Sequence, residues 1–359
     1  MSKKKVAIIG ATGIAGQQFV AALGDHPQFE VTVLAASSRS AGKTYLEALK
    51  EPSGAVGWWG DDALPQHFAQ MPVVNSEEFN AESVDVVFTA VESDAAKIIE
   101  PKYAQTTPVI STASAFRYFE DTPIFIPGVN NDHAALIEKQ KRERGWKGFV
   151  TPIPNCTTTG LAITLKPLFD HFGIKGVVLT SMQAMSGAGR RGGVLGLDAV
   201  ENVIPFIPGE EEKVQKETQK ILGRMGSEGI VPAEFPVSAT CTRVGVLDGH
   251  TEAVFVATEK VISPDEAIAA MREFDGGLQG LPSAPDPLIY VHDDPFRPQP
   301  RRDRNMNDGM TTVVGRVREE RVLGAHGVKY VLVSHNTKMG AAKGAILVGE
   351  LLVREGLIP

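Results

Sequence analysis

The first sixteen residues limit the possible folds more than any other part of this chain. Val6-Ala7-Ile8-Ile9 is a short apolar run, Gly10-Ala11-Thr12-Gly13-Ile14-Ala15-Gly16 is a glycine loop, and residues 13–23 have helical texture. Glycines in such a loop permit a tight turn and let backbone N–H groups approach a pyrophosphate at a helix N-terminus. The spacing is Gly-x-x-Gly-x-x-Gly rather than the commonest form, but a strand before it and a helix after it give the context a dinucleotide site needs. Gly10, Thr12, Gly13, Ile14 and Gly16 are the expected contacts. Further apolar runs at 31–35, 84–88, 108–111 and 124–126 read as strands. Their alternation with helical stretches implies an α/β, doubly wound parallel sheet with ligands at its carboxyl edge.

The end of the second strand indicates the type of cofactor. No Asp or Glu stands there to bond a ribose 2′-hydroxyl. Ser37-Ser38-Arg39-Ser40 and then Lys43 follow instead, hydroxyls and cations suited to a 2′-phosphate. NADP is therefore expected rather than NAD.

From about Ile174 the texture changes. Strand candidates at 177–183, 239–246, 251–256, 311–317 and 330–334 are longer and have few helices between them. They imply a second, α+β domain with a mostly antiparallel sheet covered on one face. Helical patterns run through 210–222, 264–274 and 338–354, and the polar stretch 295–307 reads as a solvated loop. A chain of 359 residues exceeds the usual size of one hydrophobic core. The expected division is 1–155 with 336–359 for the cofactor and 156–335 for catalysis and oligomerisation.

Composition bounds the partners. A net charge of −7 argues against nucleic acid as the main ligand, though not against a local cationic pocket. Two cysteines cannot build a disulfide framework, which fits a reducing cytoplasm. The basic start Met1-Ser2-Lys3-Lys4-Lys5 resembles a signal peptide only superficially, because Gly10, Gly13 and Gly16 interrupt any apolar h-region. No run of 18 apolar residues marks a membrane span.

Cys156 sits in Pro154-Asn155-Cys156-Thr157-Thr158-Thr159-Gly160, ahead of an apolar helical run. A helix N-terminus favours thiolate, the reactive form of a cysteine. Free cysteine is often a small buried hydrophobe, but the polar, cap-like context favours a nucleophile. Cys241, mid-strand between threonines, reads as structural. His250 follows the turn pair Asp248-Gly249, which places it at a hairpin tip or sheet rim, and with Cys156 present it reads as an acid/base. Arg243, on the strand leading there, calls for a carboxylate partner. No metal is called for.

Taken together these motifs resemble the aspartate-β-semialdehyde dehydrogenase family, in its archaeal and fungal-like branch. The resemblance runs nearly end to end: Ser114-Ala115-Phe116-Arg117, Pro154-Asn155-Cys156-Thr157, Met182-Gln183-Ala184-Met185-Ser186-Gly187-Ala188-Gly189, Glu210-Glu211-Glu212-Lys213, Glu217-Thr218-Gln219-Lys220, Arg243 with His250, and His335-Asn336-Thr337. It implies NADPH-dependent reductive dephosphorylation of L-4-aspartyl phosphate to L-aspartate-4-semialdehyde, on the route to lysine, threonine, methionine and isoleucine. By the resemblance Cys156 is the nucleophile, His250 the acid/base and Gln183 a holder of the acyl intermediate. Arg243 and Glu217 hold the substrate carboxylate and amino group, Arg117 and Lys220 its phosphate, with Asn155 beside them. Ser186, Gly187 and Asn336 approach the nicotinamide half of the cofactor, which brings the last helix back to the first domain. A homodimer or dimer of dimers is implied. The sequence departs from the branch at Arg190-Arg191-Gly192-Gly193, where Tyr-Pro is common. The rivals are a CoA-thioester reductase on the same scaffold, such as malonyl-CoA reductase, then N-acetyl-glutamyl-phosphate reductase, and a non-catalytic NADP-binding sensor.

Overall fold

A computed structural model describes residues 2–60, 63–189 and 195–359. The Arg190-Arg191-Gly192-Gly193 departure lies outside the described residues. Two sheets organise the chain. The first is six-stranded and wholly parallel, in the order Val73–Asn75, Phe29–Ala36, Lys4–Ile9, Val86–Thr89, Val109–Ser111, Val150–Pro152. Its order reverses on either side of Lys4–Ile9, and at such a switch point the carboxyl ends of the strands open into a crevice. Residues 124–126, expected as a strand, join no ladder. Ile126 N–H goes to Asn130 Oδ1 at 3.0 Å and Ile124 carbonyl accepts from Asn130 Nδ2 at 2.7 Å, so a side chain satisfies backbone that a neighbouring strand would otherwise bond.

The second sheet is seven-stranded, in the order Ile289–Val291, Thr312–Glu319, Gly327–Ser334, His250–Thr258, Ile174–Gln183, Val237–Val244, Val203–Ile204. It is mixed. The centre is antiparallel, but Val237–Val244 runs parallel to Ile174–Gln183, and Ile289–Val291 parallel to Thr312–Glu319. Of the two expected placements for the Asp248-Gly249 turn, hairpin tip or sheet rim, the connection is at the rim, as a crossover. Val237–Val244 and His250–Thr258 flank the same strand on opposite sides, and the connection passes over its end.

Period-two alternation puts one face of this sheet under the helix Cys156–Phe172. Cross-strand neighbours on that face form rows. One row is Arg243, Gln183, His250 and Ser334, and the next one inward is Cys241, Ser181, Glu252 and Leu332. Gly160 lets the helix sit directly on the first row, since a Cβ there would come within 2.8 Å of Ser334 Cβ. Cys156, one turn earlier, is thereby carried over His250.

The last helix, Lys343–Arg354, is amphipathic in two directions. Ala345, Ile346, Val348 and Leu352 pack into the parallel-sheet core, while Leu347 and Leu351 pack into the core of the second sheet. Glu350 on this helix accepts from Ser283 N–H and from His26 Nε2, joining three distant segments in one buried hydrogen-bonded group. Among the described residues no helix is long and apolar enough to cross a membrane.

Glu252 stands alone in the second row. It is fully buried, and among the described residues neither carboxyl oxygen has a hydrogen-bond partner. Burial holds its pKa well above the ordinary carboxyl range, so it is a neutral acid in the folded protein. Its contribution to stability is complete below the unfolded-state value and is lost as pH rises through the folded one. Glu252→Gln removes this titration. Its stability relative to the parent should climb with pH above about 4.5, by at most ~1.4 kcal/mol per pH unit. Denaturant unfolding of both proteins between pH 5 and 8 reads this slope, and a pH-independent difference would refute it.

Candidate active site

The nucleophile is aimed by its cap. Asn155 Oδ1 accepts from Thr157 N–H at 2.9 Å and Thr158 N–H at 3.4 Å, closing the N-terminus of the helix Cys156–Phe172. Asn155 is itself held by two carboxylates of the helix Glu210–Ile221. Its N–H donates to Glu217 Oε2 at 2.6 Å, and its Nδ2 donates to Glu210 Oε1 at 2.7 Å. With Asn155 fixed, Cys156 Sγ lies 3.1 Å from His250 Nε2.

His250 is fully buried, and Ala184 N–H donates to its Nδ1 at 3.0 Å. A backbone donor on Nδ1 leaves the ring proton on Nε2, facing sulfur. Burial, then the nearby Arg243 and His335, lower the His250 pKa to about 3, so the ring is neutral. Burial also raises the Cys156 thiol to about 12. Glu210 adds to that rise, while Arg117, Arg243 and Thr157 N–H oppose it. The helix start is expected to favour thiolate; the Thr157 N–H works in that direction, but burial works against it and is the larger effect.

A cleft of about 570 Å³ opens in front of the sulfur. Arg117, Asn155, Gln183, Gly187, Glu210, Lys213 and Arg243 line it, with residues 91–93 and 112–114 from the carboxyl edge of the parallel sheet on the far wall. Arg117 spends Nε on Ile153 carbonyl, one Nη1 proton on Glu217 and one Nη2 proton on Thr112 carbonyl. One proton on each terminal nitrogen remains for an anion. Arg243 Nη1 is steadied by Ala184 carbonyl at 2.8 Å. Gln183 Nε2 donates to Glu210 Oε1 at 3.1 Å.

Two expected substrate residues are elsewhere. Glu217 is fully buried behind the cleft wall, bonded to Arg117, Tyr118 and the Asn155 N–H. Lys220 gives its three protons to the carbonyls of Arg117, Phe119 and Thr122 at 2.8–2.9 Å, and burial lowers its pKa to about 8. Neither lines the cleft. Two turns earlier on the same helix, Glu210 and Lys213 do. The sequence carries a signal for this placement. Residues 210, 214, 217, 218 and 221 form one buried stripe at helical spacing, so Glu210 and Glu217 share a face and only their height along the axis differs.

The cofactor loop has the expected geometry. Gly10 has φ +83°, and a Cβ on Gly16 would lie 2.1 Å from Gly10 carbonyl oxygen. Gly13 occupies the N-cap of Ile14–Leu23 with no side chain over the helix N-terminus, which leaves it open to an anion. Thr12 stands in the same turn. Ser37, Ser38 and Arg39 are exposed and Ser40 half-buried just after Phe29–Ala36, in a turn closed by Ser40 N–H on Ser37 carbonyl. Gly187 lies against Arg243 and His250, and Ser186 Oγ accepts from Asn336 Nδ2 at 2.8 Å.

These protonation states predict how the thiol reacts. Alkylation of Cys156 by iodoacetamide in the free enzyme should keep accelerating with pH beyond 8.5, the value of an ordinary thiol. A rate that levels off near pH 6–7 would mark a resting thiolate–imidazolium pair and contradict this geometry.

The comparisons agree with the fold. The chain matches the family described as "Semialdehyde dehydrogenase, NAD binding domain" over residues 5–137 and "Semialdehyde dehydrogenase, dimerisation domain" over residues 165–339. It is 46% identical to aspartate-semialdehyde dehydrogenase of Methanothermobacter thermautotrophicus, over 97% of this chain and 98% of that one. It is 44% identical to the enzyme of the same name from Archaeoglobus fulgidus, over 98% and 99%. The crystal structure of aspartate semialdehyde dehydrogenase with NADP from Candida albicans matches with a TM-score of 0.88 at 38% identity, covering 99% of this chain and 100% of that one. Spanned almost completely by such relatives, the chain belongs to the aspartate-semialdehyde dehydrogenase family.

Proposed function

We propose that the chain interconverts L-4-aspartyl phosphate and L-aspartate-4-semialdehyde, with NADP as hydride carrier and Cys156 as the acyl-carrying nucleophile. The observation that carries this reading is Cys156 Sγ 3.1 Å from His250 Nε2, in a cleft that also holds Arg117, Arg243, Lys213 and Glu210. The substrate bears a phosphate, a carboxylate and an ammonium group, and three cations with one carboxylate match those charges.

Arg243 takes the substrate carboxylate and Glu210 the ammonium group. Arg117 and Lys213 take the phosphate, in place of the Glu217 and Lys220 expected from the sequence. Cys156 sulfur attacks the acyl carbon, its thiol proton passes to the departing phosphate, the carbon–oxygen bond to phosphate breaks, and a thioester remains on Sγ. Bound in the Gly10–Gly16 loop with Ser38, Arg39 and Ser40 on its 2′-phosphate, the cofactor supplies the hydride that reduces the acyl carbon. His250 holds its proton at Nε2 against sulfur. That hydrogen bond stabilises the thiolate that attacks, and stabilises it again when the thiohemiacetal collapses to aldehyde. The tautomer favours this donor role over proton abstraction from the thiol. Gln183, steadied by Glu210, flanks the acyl group.

The division proposed is residues 1–155 with 336–359 for the cofactor and 156–335 for catalysis and oligomerisation; the parallel sheet drawn from 4–152 and the mixed sheet drawn from 174–334 support it. The outer face of the second sheet, where Val178, Thr180 and Thr240 are exposed and Phe255 is half-buried, supports a two-fold homodimer. A monomer in light scattering at micromolar concentration would contradict that assembly.

In the oxidative direction, cofactor reduction by aspartate semialdehyde should require phosphate, should not be supported by CoA, and should favour NADP over NAD. Lys213→Ala should raise KM for phosphate about tenfold or more, the loss of one charge-assisted contact. Lys220→Ala should leave that constant within about twofold and act mainly on stability. Activity with malonate semialdehyde and CoA instead would favour the thioester-reductase reading, and a phosphate KM that responds to Lys220 alone would reverse the assignment of the two lysines.

A further inference from the structure

The C-terminal chain reaches the active-site cysteine through an uncommon turn. Residues Lys338–Ala342 form one π-type turn, kinked at Ala341 where the backbone leaves the helical region (φ −151°, ψ −109°), between the strand Gly327–Ser334 and the helix Lys343–Arg354. Gly340 N–H goes to His335 carbonyl at 2.9 Å and Ala342 N–H to Thr337 carbonyl at 3.3 Å, each spanning five residues. Such single turns widen a helix locally and are frequent at functional sites. Here the widened turn brings Gly340 against the start of the helix Cys156–Phe172. A Cβ on Gly340 would lie 2.9 Å from Cys156 Cβ and 3.2 Å from Cys156 Cα. Its φ is not in the left-handed region, so glycine is required here for space rather than for backbone freedom.

The same segment touches the partner of the sulfur. Asn336 Oδ1 accepts from Gly249 N–H at 2.9 Å, one residue before His250. The segment is held from outside as well. Lys338 and Lys343 both bond the Asp308 carboxylate, and Gly309 leaves room for the Lys338 stem and the His335 ring. The backbone around Gly340 is thus tied to the dinucleotide-side helix, to the His250 turn and to an outer loop.

We infer that Gly340 is a positioning residue for Cys156: its bare Cα, held by the π-helical turn, sets where Sγ stands relative to His250 Nε2. This rests on the reading of Cys156 as nucleophile. Displacing a reacting atom by about 1 Å can cost on the order of 100-fold in rate without weakening binding.

The test compares Gly340→Ala with Gly349→Ala. Gly349 lies on the following helix, and a Cβ there would press on Phe29, Phe88 and Ile110 at 3.1–3.3 Å, remote from sulfur. Gly340→Ala should lower kcat about tenfold or more and change the rate and pH profile of iodoacetamide alkylation. KM for phosphate and for aspartate semialdehyde, and Kd for NADP, should stay within about twofold. Gly349→Ala should lower Tm while keeping the kcat of the folded enzyme. If Gly340→Ala does not fold, Asp308→Asn provides the same readout from a carboxylate that is 60% exposed. It loosens the segment, with a lower Tm from the lost bonds to Lys338 and Lys343, and should reduce the kcat and alkylation rate of the folded enzyme by about threefold. Normal kcat and alkylation in Gly340→Ala, or in Asp308→Asn if that variant alone can be measured, would overturn the inference. So would activity lost by both glycine variants only in proportion to the protein unfolded. Turnover by Cys156→Ser would be a separate failure, that of the nucleophile reading itself.

Discussion

The chemistry of this enzyme depends on how closely one helix start approaches one row of a sheet. Cys156 opens a helix, and Arg243, Gln183, His250 and Ser334 are successive cross-strand neighbours beneath it. Gly160 removes the side chain that would hold the helix off the sheet, and Asn155 fixes the rotation of the first turn. These contacts set the 3.1 Å between sulfur and imidazole. Side chains mounted on packed strands and helices lose little further freedom on reaching reactive geometry, which is the condition for proximity to accelerate a step.

Charge in the cleft is arranged in two layers. Glu217 is spent internally on Arg117, Tyr118 and the Asn155 N–H and does not line the cleft. Glu210, at the mouth end of the same helix, is bonded to Asn155 and Gln183 yet still lines the cleft. Its proximity helps to keep Cys156 protonated in the free protein. An ammonium group arriving with the substrate would offset that carboxylate and lower the barrier to forming thiolate.

Much of this was legible in the chain. The glycine loop announced the parallel sheet, because only a strand–turn–helix context explains its residues. The Asn155-Cys156 context marked a capped helix start. What the sequence did not resolve depended on strand order and on axial height. The Asp248-Gly249 turn looks the same whether its strands pair with each other or flank a third, and here they flank a third. Glu210 with Lys213 and Glu217 with Lys220 are equivalent i,i+3 pairs on one helix. Only packing against the loop 117–122 reveals that the second pair is consumed by backbone carbonyls and an arginine. Residues 124–126 have strand composition and lie beside the edge strand Val150–Pro152, but only Phe125 N–H bonds it, at Pro152 carbonyl, while Asn130 takes Ile124 carbonyl and Ile126 N–H, so no ladder forms. A dipole argument counts the helix end alone, and the burial that raises the Cys156 thiol depends on tertiary packing the sequence does not display.

The central claim is that the acyl group is carried on Cys156, and intact-protein mass spectrometry tests it most directly. Enzyme mixed with aspartate semialdehyde and NADP, without phosphate, and quenched in acid should gain the mass of one aspartyl group at Cys156. Added phosphate should discharge that adduct, and Cys156→Ser should never form it. Turnover in the presence of phosphate with no covalent species in its absence, or an adduct on any other residue, would contradict the account.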